Sequence, residues 1–196
     1  KKSRDHTELL CKYLKLPVNI LKKKNYDLIK IRKAKKINSF NYRVPSDISS
    51  ASFFIVLASL TENSNLTLKN VNINSSRIGM IIILKKMGVK IIFKNKKLYK
   101  GELVADILVK SPKNLKSINC PKKLNSSSID EFLLIFLVAA KARGVSIFKS
   151  LSELNQKESP RLKWGSKILN FMGIKNIVTN SSIKIFGNPK INVKKK

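Results

Sequence analysis

The sequence predicts an α+β fold of stacked, repeated layers of helix and sheet. Three observations predict it. Apolar, helix-like runs alternate with short strand-like runs along most of the chain, and the order of these runs recurs. A shared signature closes corresponding stretches, Met87-Gly88-Val89-Lys90 and Met172-Gly173-Ile174-Lys175, with the two glycines 85 residues apart. Recurrence at a fixed spacing marks repeated supersecondary units.

The elements follow in order. Residues 3–16 read as a helix, with strands near 18–21 and 28–31. Residues 33–44 carry turn residues and charge and read as a crossover. An apolar run over 49–60 predicts a helix, and 65–71 a strand. Ser75-Ser76-Arg77 introduces a helix over 78–87, whose nearly continuous apolar surface predicts burial on most sides. Strands follow at 88–93 and 104–109. The second pass repeats this order: a helix over 128–142, a strand over 144–149, a helix opened by Ser159-Pro160-Arg161 and ending at Phe171-Met172, then strands at 173–178 and 183–186. Ser128 and Glu131 have the spacing of a capping box. Ser159 is a capping residue, with Pro160 at the first helical position, where its missing N–H costs nothing. Gly88 and Gly173 suit the left-handed residue just past a helix.

Composition limits the function classes. The net charge of +30 points, taken alone, to a polyanionic partner such as nucleic acid. The basic residues are mostly Lys and are spread along the chain, whereas a nucleic-acid footprint clusters them and single-strand binders add aromatic stacking platforms. Aromatics are 7% of residues and scattered, which favours a solvated Lys-rich surface. A basic nucleic-acid-binding module stays as the reading from another class, and steep salt dependence of binding would distinguish it. Cys11 and Cys120 lack metal-ligand spacing and His6 is the single histidine, so neither a metal site nor a disulfide framework is expected. A reducing compartment fits two such cysteines. The apolar runs near 53–60 and 132–140 fall short of the roughly 18 residues a spanning helix needs. The opening residues read as mid-protein sequence and 190–196 end without a clear element, so truncation at both ends is expected.

Six segments carry a family resemblance. They are Ser3-Arg4-Asp5-His6-Thr7-Glu8, Val44-Pro45-Ser46-Asp47-Ile48-Ser49-Ser50-Ala51, Asn74-Ser75-Ser76-Arg77-Ile78-Gly79, Glu102-Leu103-Val104-Ala105-Asp106-Ile107-Leu108-Val109, Ile129-Asp130-Glu131 and Lys157-Glu158-Ser159-Pro160-Arg161-Leu162. In order and spacing they resemble motifs of the EPSP synthases (3-phosphoshikimate 1-carboxyvinyltransferases) of the glyphosate-tolerant bacterial type. The resemblance implies two domains, each of three βαβαββ units, with substrates closing in the cleft between them. On it, residues 1–45 finish the first domain and the crossover, and 46–116 and 117–196 are two of the second domain's three units. It also implies transfer of the enolpyruvyl group of phosphoenolpyruvate to the 5-hydroxyl of shikimate 3-phosphate, without cofactor or metal. The enzyme would be a cytoplasmic monomer whose partners are small molecules, with no membrane or nucleic acid.

Carried over residue by residue, Asp130 would hydrogen-bond the shikimate hydroxyls and take the nucleophile's proton. Glu158 would handle the proton at the phosphoenolpyruvate methylene. Lys157 would contact shikimate 3-phosphate and the reacting centre, Arg161 would hold phosphoenolpyruvate, and Arg4 with Ser3 would approach the shikimate phosphate. Each has a plainer reading: Asp130 as an acid in a first helical turn, Glu158 as a solvated loop residue, Lys157 as one surface Lys among many, Arg161 as a partner for Glu158. His6 and Trp164 read as packing residues. Two departures stand out: Pro160 replaces the family's Asp, and Asn155-Gln156 precedes Lys157 where an aliphatic residue is usual. The family's K-S-x-x-x-R, N-A-G-T, S-x-Q and D-H-R segments are absent, so the chain by itself is expected to be inactive. The alternatives within this resemblance are the sister enzyme acting on UDP-N-acetylglucosamine and a degenerate, non-catalytic relative.

Overall fold

The computed structural model describes residues 4–24, 26–156 and 158–191. It opens with α1 (His6–Tyr13) and an antiparallel hairpin of β1 (Val18–Lys22) and β2 (Asp27–Ile31). Helix α1 is shorter than the sequence predicts. Lys15 turns left-handed (φ 55°), the Leu16 N–H returns to the Cys11 carbonyl at 2.9 Å, and Pro17 cannot extend the helix. Residues 32–47 hold no helix or strand beyond a single bridge at Ser46.

Two units of like topology follow. In the first, Ser46 bridges Val71 in parallel, then come α2 (Ile48–Leu60), β3 (Asn65–Asn72), α3 (Gly79–Lys86), β4 (Lys90–Tyr99) and β5 (Glu102–Lys110). In the second, Lys116 and Asn119 bridge Arg143 and Ile147 in parallel, then come α4 (Phe132–Lys141), β6 (Gly144–Phe148), α5 (Arg161–Phe171), β7 (Asn176–Val178) and β8 (Ile183–Gly187). The strand orders match, β3-β5-β4 and β6-β8-β7, with all named neighbours antiparallel. Counting the short bridged segment as a strand, each unit runs βαβαββ.

The repeated glycine signature is a helix stop. Val89 N–H reaches back to Leu84 C=O at 3.0 Å and Gly88 N–H to Lys85 C=O at 3.1 Å; Ile174 to Leu169 (2.8 Å) and Gly173 to Asn170 (2.9 Å) repeat the pattern. Gly88 (φ 99°) and Gly173 (φ 73°) supply the left-handed residue this motif needs. The aliphatic residue after each glycine is buried, as is the leucine it bonds to, which seals the helix end against the core.

Three further expected boundaries move. The helix predicted from 128 begins only at Phe132, preceded by a 3-10 turn over Ser126–Ser128. The predicted capping box does not form: the Ser128 hydroxyl donates to Leu124 C=O at 2.8 Å, and the Glu131 carboxylate is taken by Ser49. Helix α5 starts at Arg161, so Pro160 precedes it and Ser159 offers only its carbonyl, to Arg161 N–H at 2.8 Å. Strand β4 runs on to Tyr99, past the expected end at 93.

Helix α4 lies at the centre, packed against α2, α3, α5 and β8. Phe132, Phe136 and Phe148 are fully buried there, with ring centroids 5.2–6.0 Å apart. Helix α2 starts where Asp47 accepts a hydrogen bond from Ser50 N–H at 2.7 Å. It buries Ile48, Ala51, Ile55 and Val56 but leaves Phe53, Phe54 and Leu57 at 64%, 55% and 62% exposure. Between α4 and α5 runs an apolar groove lined by Leu133, Phe136, Leu137 and Ile168.

Asp106, on the central strand β5, ties the first sheet together. Its carboxylate accepts from Lys69 Nζ (2.9 Å), Asn70 N–H (2.9 Å) and Asn95 Nδ2 (2.8 Å). Asn70 and Asn95 are left-handed and sit where β3 and β4 shift register against β5. One carboxylate thus clamps a bulge on each flanking strand. Lys69 first, then the two Asn donors, hold its carboxyl well below the usual carboxylate range. A depressed carboxyl stabilises the fold fully above its ordinary pKa of about 4 and loses that contribution as pH falls toward its folded value. Asp106→Asn is therefore expected to melt below wild type at neutral pH, with the gap closing as pH drops under about 4. A gap independent of pH would remove the carboxylate from this role. Exposed apolar surface of the kind on α2 promotes association. Sedimentation of the 196-residue chain is expected to show concentration-dependent self-association, reduced in Phe53→Ser/Phe54→Ser; a monomer at every concentration would contradict this.

Candidate active site

The site is built around the entry to α4. The segment before it is pinned from several sides: Ser127 and Ser128 both donate to Leu124 C=O, and Asn125 Nδ2 donates to the carbonyls of Lys149 and Ser150, each at 2.9 Å. The start of α3 presses on it directly. A Cβ on Gly79 would lie 2.2 Å from Ser128 Oγ and 2.8 Å from the Ser127 carbonyl carbon, so only glycine fits. Ile129 and Phe132 point into the core at 8% and 0% exposure. Asp130, between them, is turned outward with its side chain 24% exposed, two residues ahead of α4 rather than in its first turn.

Four sequence-predicted residues meet here. Arg4, just before α1, donates through Nη2 to Asp130 Oδ2, across 126 residues of sequence. Arg161, the first residue of α5, places Nη1 3.5 Å from Asp130 Oδ1 and Nη2 2.8 Å from Glu158 Oε2. Arg161 is three-quarters buried while Glu158 is 81% exposed, so the cluster opens to solvent on the Glu158 side. Ser3 and Lys157 lie outside the described residues. Two carboxylates and two guanidiniums within reach of each other can bind a multiply charged anion through the cations and accept or donate a proton through the carboxyls.

A second network lies behind it that sequence reasoning did not single out. Glu131 is buried at 2% exposure and accepts from Ser49 Oγ at 2.6 Å. Ser49 in turn accepts from Arg77 Nη2 at 2.6 Å, and Arg77 stands 3.8 Å from Asp47 Oδ1. Burial pushes the Glu131 carboxyl up, the Ser49 hydroxyl and Arg77 oppose this, and Asp130 and Asp47 add to it. Burial also acts against the Asp47 carboxylate, but donors from Ser50 and Ser49 and the Arg77 charge bring its carboxyl below the ordinary value. Arg77 and Arg161 stand at the start of the second helix of their respective units.

A third network holds α1 to the first sheet. His6 Nδ1 lies 2.5 Å from Glu102 Oε1, and Asn74 Nδ2 donates to Asp5 Oδ1 at 2.8 Å and to Glu102 Oε2 at 3.4 Å. His6 is thus a hydrogen-bonding residue as well as a packing one. The signal was present in the quoted motifs, but their polar residues could not be paired without the fold. Trp164 lies half-exposed on the flank of α5 under Lys167 Nζ, 4.5 Å from the ring centroid. Buried Cys120 has its thiol pushed up to about 11 by desolvation, which leaves it a poor nucleophile. No cluster of metal-ligating side chains occurs among the described residues. No helix among them is long and apolar enough to cross a membrane.

The model of the EPSP synthase (3-phosphoshikimate 1-carboxyvinyltransferase) family matches residues 1–194. The chain belongs to the EPSP synthase family. The 3-phosphoshikimate 1-carboxyvinyltransferase of Ruthia magnifica subsp. Calyptogena magnifica is 42% identical over 185 residues, 94% of this chain and 41% of that protein. That of Petrotoga mobilis is 37% identical over 190 residues, 97% of this chain and 43% of its own length. The solved EPSP synthase from Acinetobacter baumannii superposes with a TM-score of 0.88 at 37% identity, over 97% of this chain and 42% of that one. The enolpyruvyl transferase NikO from Streptomyces tendae shares the fold alone, with a TM-score of 0.58 at 13% identity over 89% of this chain and 38% of its own. The layered βαβαββ units are therefore those of the enolpyruvate transferase fold, and this chain spans about two fifths of the length of its EPSP synthase relatives.

The close approach at Gly79 gives a test of how this family member holds Asp130. Helix propensity alone favours Ala over Gly by about 1 kcal/mol. The clash reverses the sign, so Gly79→Ala is expected to lose about 1–3 kcal/mol in denaturant unfolding. A gain in stability would show that the segment before α4 yields freely.

Proposed function

We propose that the protein containing this chain transfers the enolpyruvyl group of phosphoenolpyruvate to the 5-hydroxyl of shikimate 3-phosphate, giving 5-enolpyruvylshikimate 3-phosphate and phosphate. The observation that carries this is the cluster of Arg4, Asp130, Glu158 and Arg161, drawn from three distant segments into contact. Family membership supports it.

In this reading Asp130 hydrogen-bonds the shikimate hydroxyls and accepts the proton of the attacking 5-hydroxyl. The 5-oxygen of shikimate 3-phosphate bonds to C2 of phosphoenolpyruvate while Glu158 delivers a proton to the methylene carbon, making a methyl group. The tetrahedral intermediate then returns a methyl proton to the Glu158 carboxylate as the C2–O bond to phosphate breaks, which restores the double bond and releases phosphate. Arg161 holds the phosphoenolpyruvate anion by paired hydrogen bonds, as guanidinium geometry allows. Lys157 contacts the reacting centre and shikimate 3-phosphate, whose phosphate Arg4 and Ser3 approach. Binding of the substrate anions exchanges ion pairs among Arg4, Asp130, Glu158 and Arg161 for contacts to the substrates.

Residues 1–45 complete a first domain and crossover, and 46–116 and 117–196 are two units of a second. The enzyme works as a cytoplasmic monomer without a cofactor. This chain alone is expected to show little or no turnover.

Phosphate release from the two substrates by the intact parent protein is the test. Asp130→Asn is expected to lower kcat by about 100-fold or more, the scale of losing a general base. Arg161→Lys is expected to raise KM for phosphoenolpyruvate more than that for shikimate 3-phosphate. A folded parent protein that releases no phosphate would rule the reaction out.

A further inference from the structure

Asp130 and Glu131 are consecutive carboxylates with opposite placements. Asp130 faces the cleft between Arg4 and Arg161, whereas Glu131 is buried and faces α2. A buried carboxylate is costly unless it is paired and hydrogen-bonded. Glu131 does not offset that cost as a helix cap, because its side chain makes no hydrogen bond to the first turn of α4. It spends its acceptor capacity 82 residues away in sequence, on the Ser49 hydroxyl.

We propose that Glu131 is the positioning residue for Asp130, held through a relay from Arg77 to Ser49 to Glu131. This rests on the reading of Asp130 as the proton acceptor. Every strong group of Glu131 is engaged: its N–H bonds Ser128 C=O at 3.0 Å, its C=O accepts Ile135 N–H at 3.0 Å, and its carboxylate accepts Ser49 Oγ at 2.6 Å. With residue 131 fixed at all three points and Ile129 buried on the other side, the peptides flanking Asp130 have no freedom to turn it away from the cleft. The donors run in a consistent direction: the Arg77 guanidinium donates to Ser49 Oγ, and the Ser49 hydroxyl donates to the carboxylate. Burial and the neighbouring Asp130 charge push the Glu131 carboxyl up, and Ser49 and Arg77 are the groups that oppose them. The relay joins the start of α2, the approach to α3 and the entry to α4, so three of the segments that carry the family resemblance act on one side chain.

The test uses the intact parent protein and the variants Ser49→Ala, Ser49→Thr, Glu131→Ala and the double alanine variant. Ser49→Ala removes one hydroxyl from a half-buried position and is the variant least open to misfolding. Misplacing a reacting group by about 1 Å costs up to about 100-fold. Ser49→Ala and Glu131→Ala are each expected to lower kcat by about 10- to 100-fold with the KM for phosphoenolpyruvate changed less than about threefold, because Arg161 does not depend on the relay. The double variant should be no worse than Glu131→Ala, since both act through one bond. Ser49→Thr, which keeps the hydroxyl, should recover most of the rate. Wild-type kcat in Ser49→Ala overturns the proposal, as does a loss explained wholly by the fraction unfolded at the assay temperature. If the wild-type parent releases no phosphate, the reaction reading fails, and crystal structures decide the positioning alone. An Asp130 carboxylate displaced from Arg161 in Ser49→Ala supports it, and an unmoved one sinks it.

Discussion

The whole site depends on how the chain enters α4. Phe132 is locked into the aromatic cluster with Phe136 and Phe148, and Ile129 is buried one turn earlier. Gly79 allows α3 to approach Ser127 and Ser128, just ahead of these anchors, more closely than any side chain would permit. Between two buried anchors, Asp130 has one direction left to face. Arg4 and Arg161, from opposite ends of the chain, then share a target. If α4 were shifted along its axis, Asp130 would lie out of reach of one arginine or the other.

In so basic a chain, the acidic residues carry the information. There are 11 Asp and Glu against 41 Lys and Arg. Asp5, Asp47, Glu102, Asp106, Asp130, Glu131 and Glu158 all take part in the networks that set a bulge, a helix start, the seat of α1 or the candidate site. Many of the lysines, by contrast, are exposed along strand faces and loops, as over β4. Their abundance gives the protein its charge.

Much of the fold was legible in the sequence because its causes are local. The apolar run 49–60, the two glycine stops and the alternating strands each state their structure within a dozen residues. The family motifs identified Arg4, Asp130, Glu158 and Arg161, and the fold supplied the distances between them. What was not legible was set by long-range contacts. Ser128 and Glu131 have ideal capping-box spacing, but Ser49, 82 positions away, takes the glutamate, and the Ser128 hydroxyl turns back to Leu124. No local pattern reports that competition. The same holds for His6, whose partner Glu102 begins the central strand β5, 96 residues away. The late start of α4 and the bulges around Asp106 belong to the same class, because both require knowing which strand or helix lies alongside.

Each unit also places an arginine near the N-terminal end of its second helix, Arg77 two residues ahead of α3 and Arg161 at the first residue of α5. Arg161 addresses Asp130 from the cleft, and Arg77 addresses Glu131, through Ser49, from within. One arginine thus contacts the candidate site and the other the framework beneath it, and both converge on adjacent carboxylates of the second unit. The two units are therefore mechanically coupled at one dipeptide: a disturbance ahead of α3 or at the first residue of α5 reaches the same stretch of backbone.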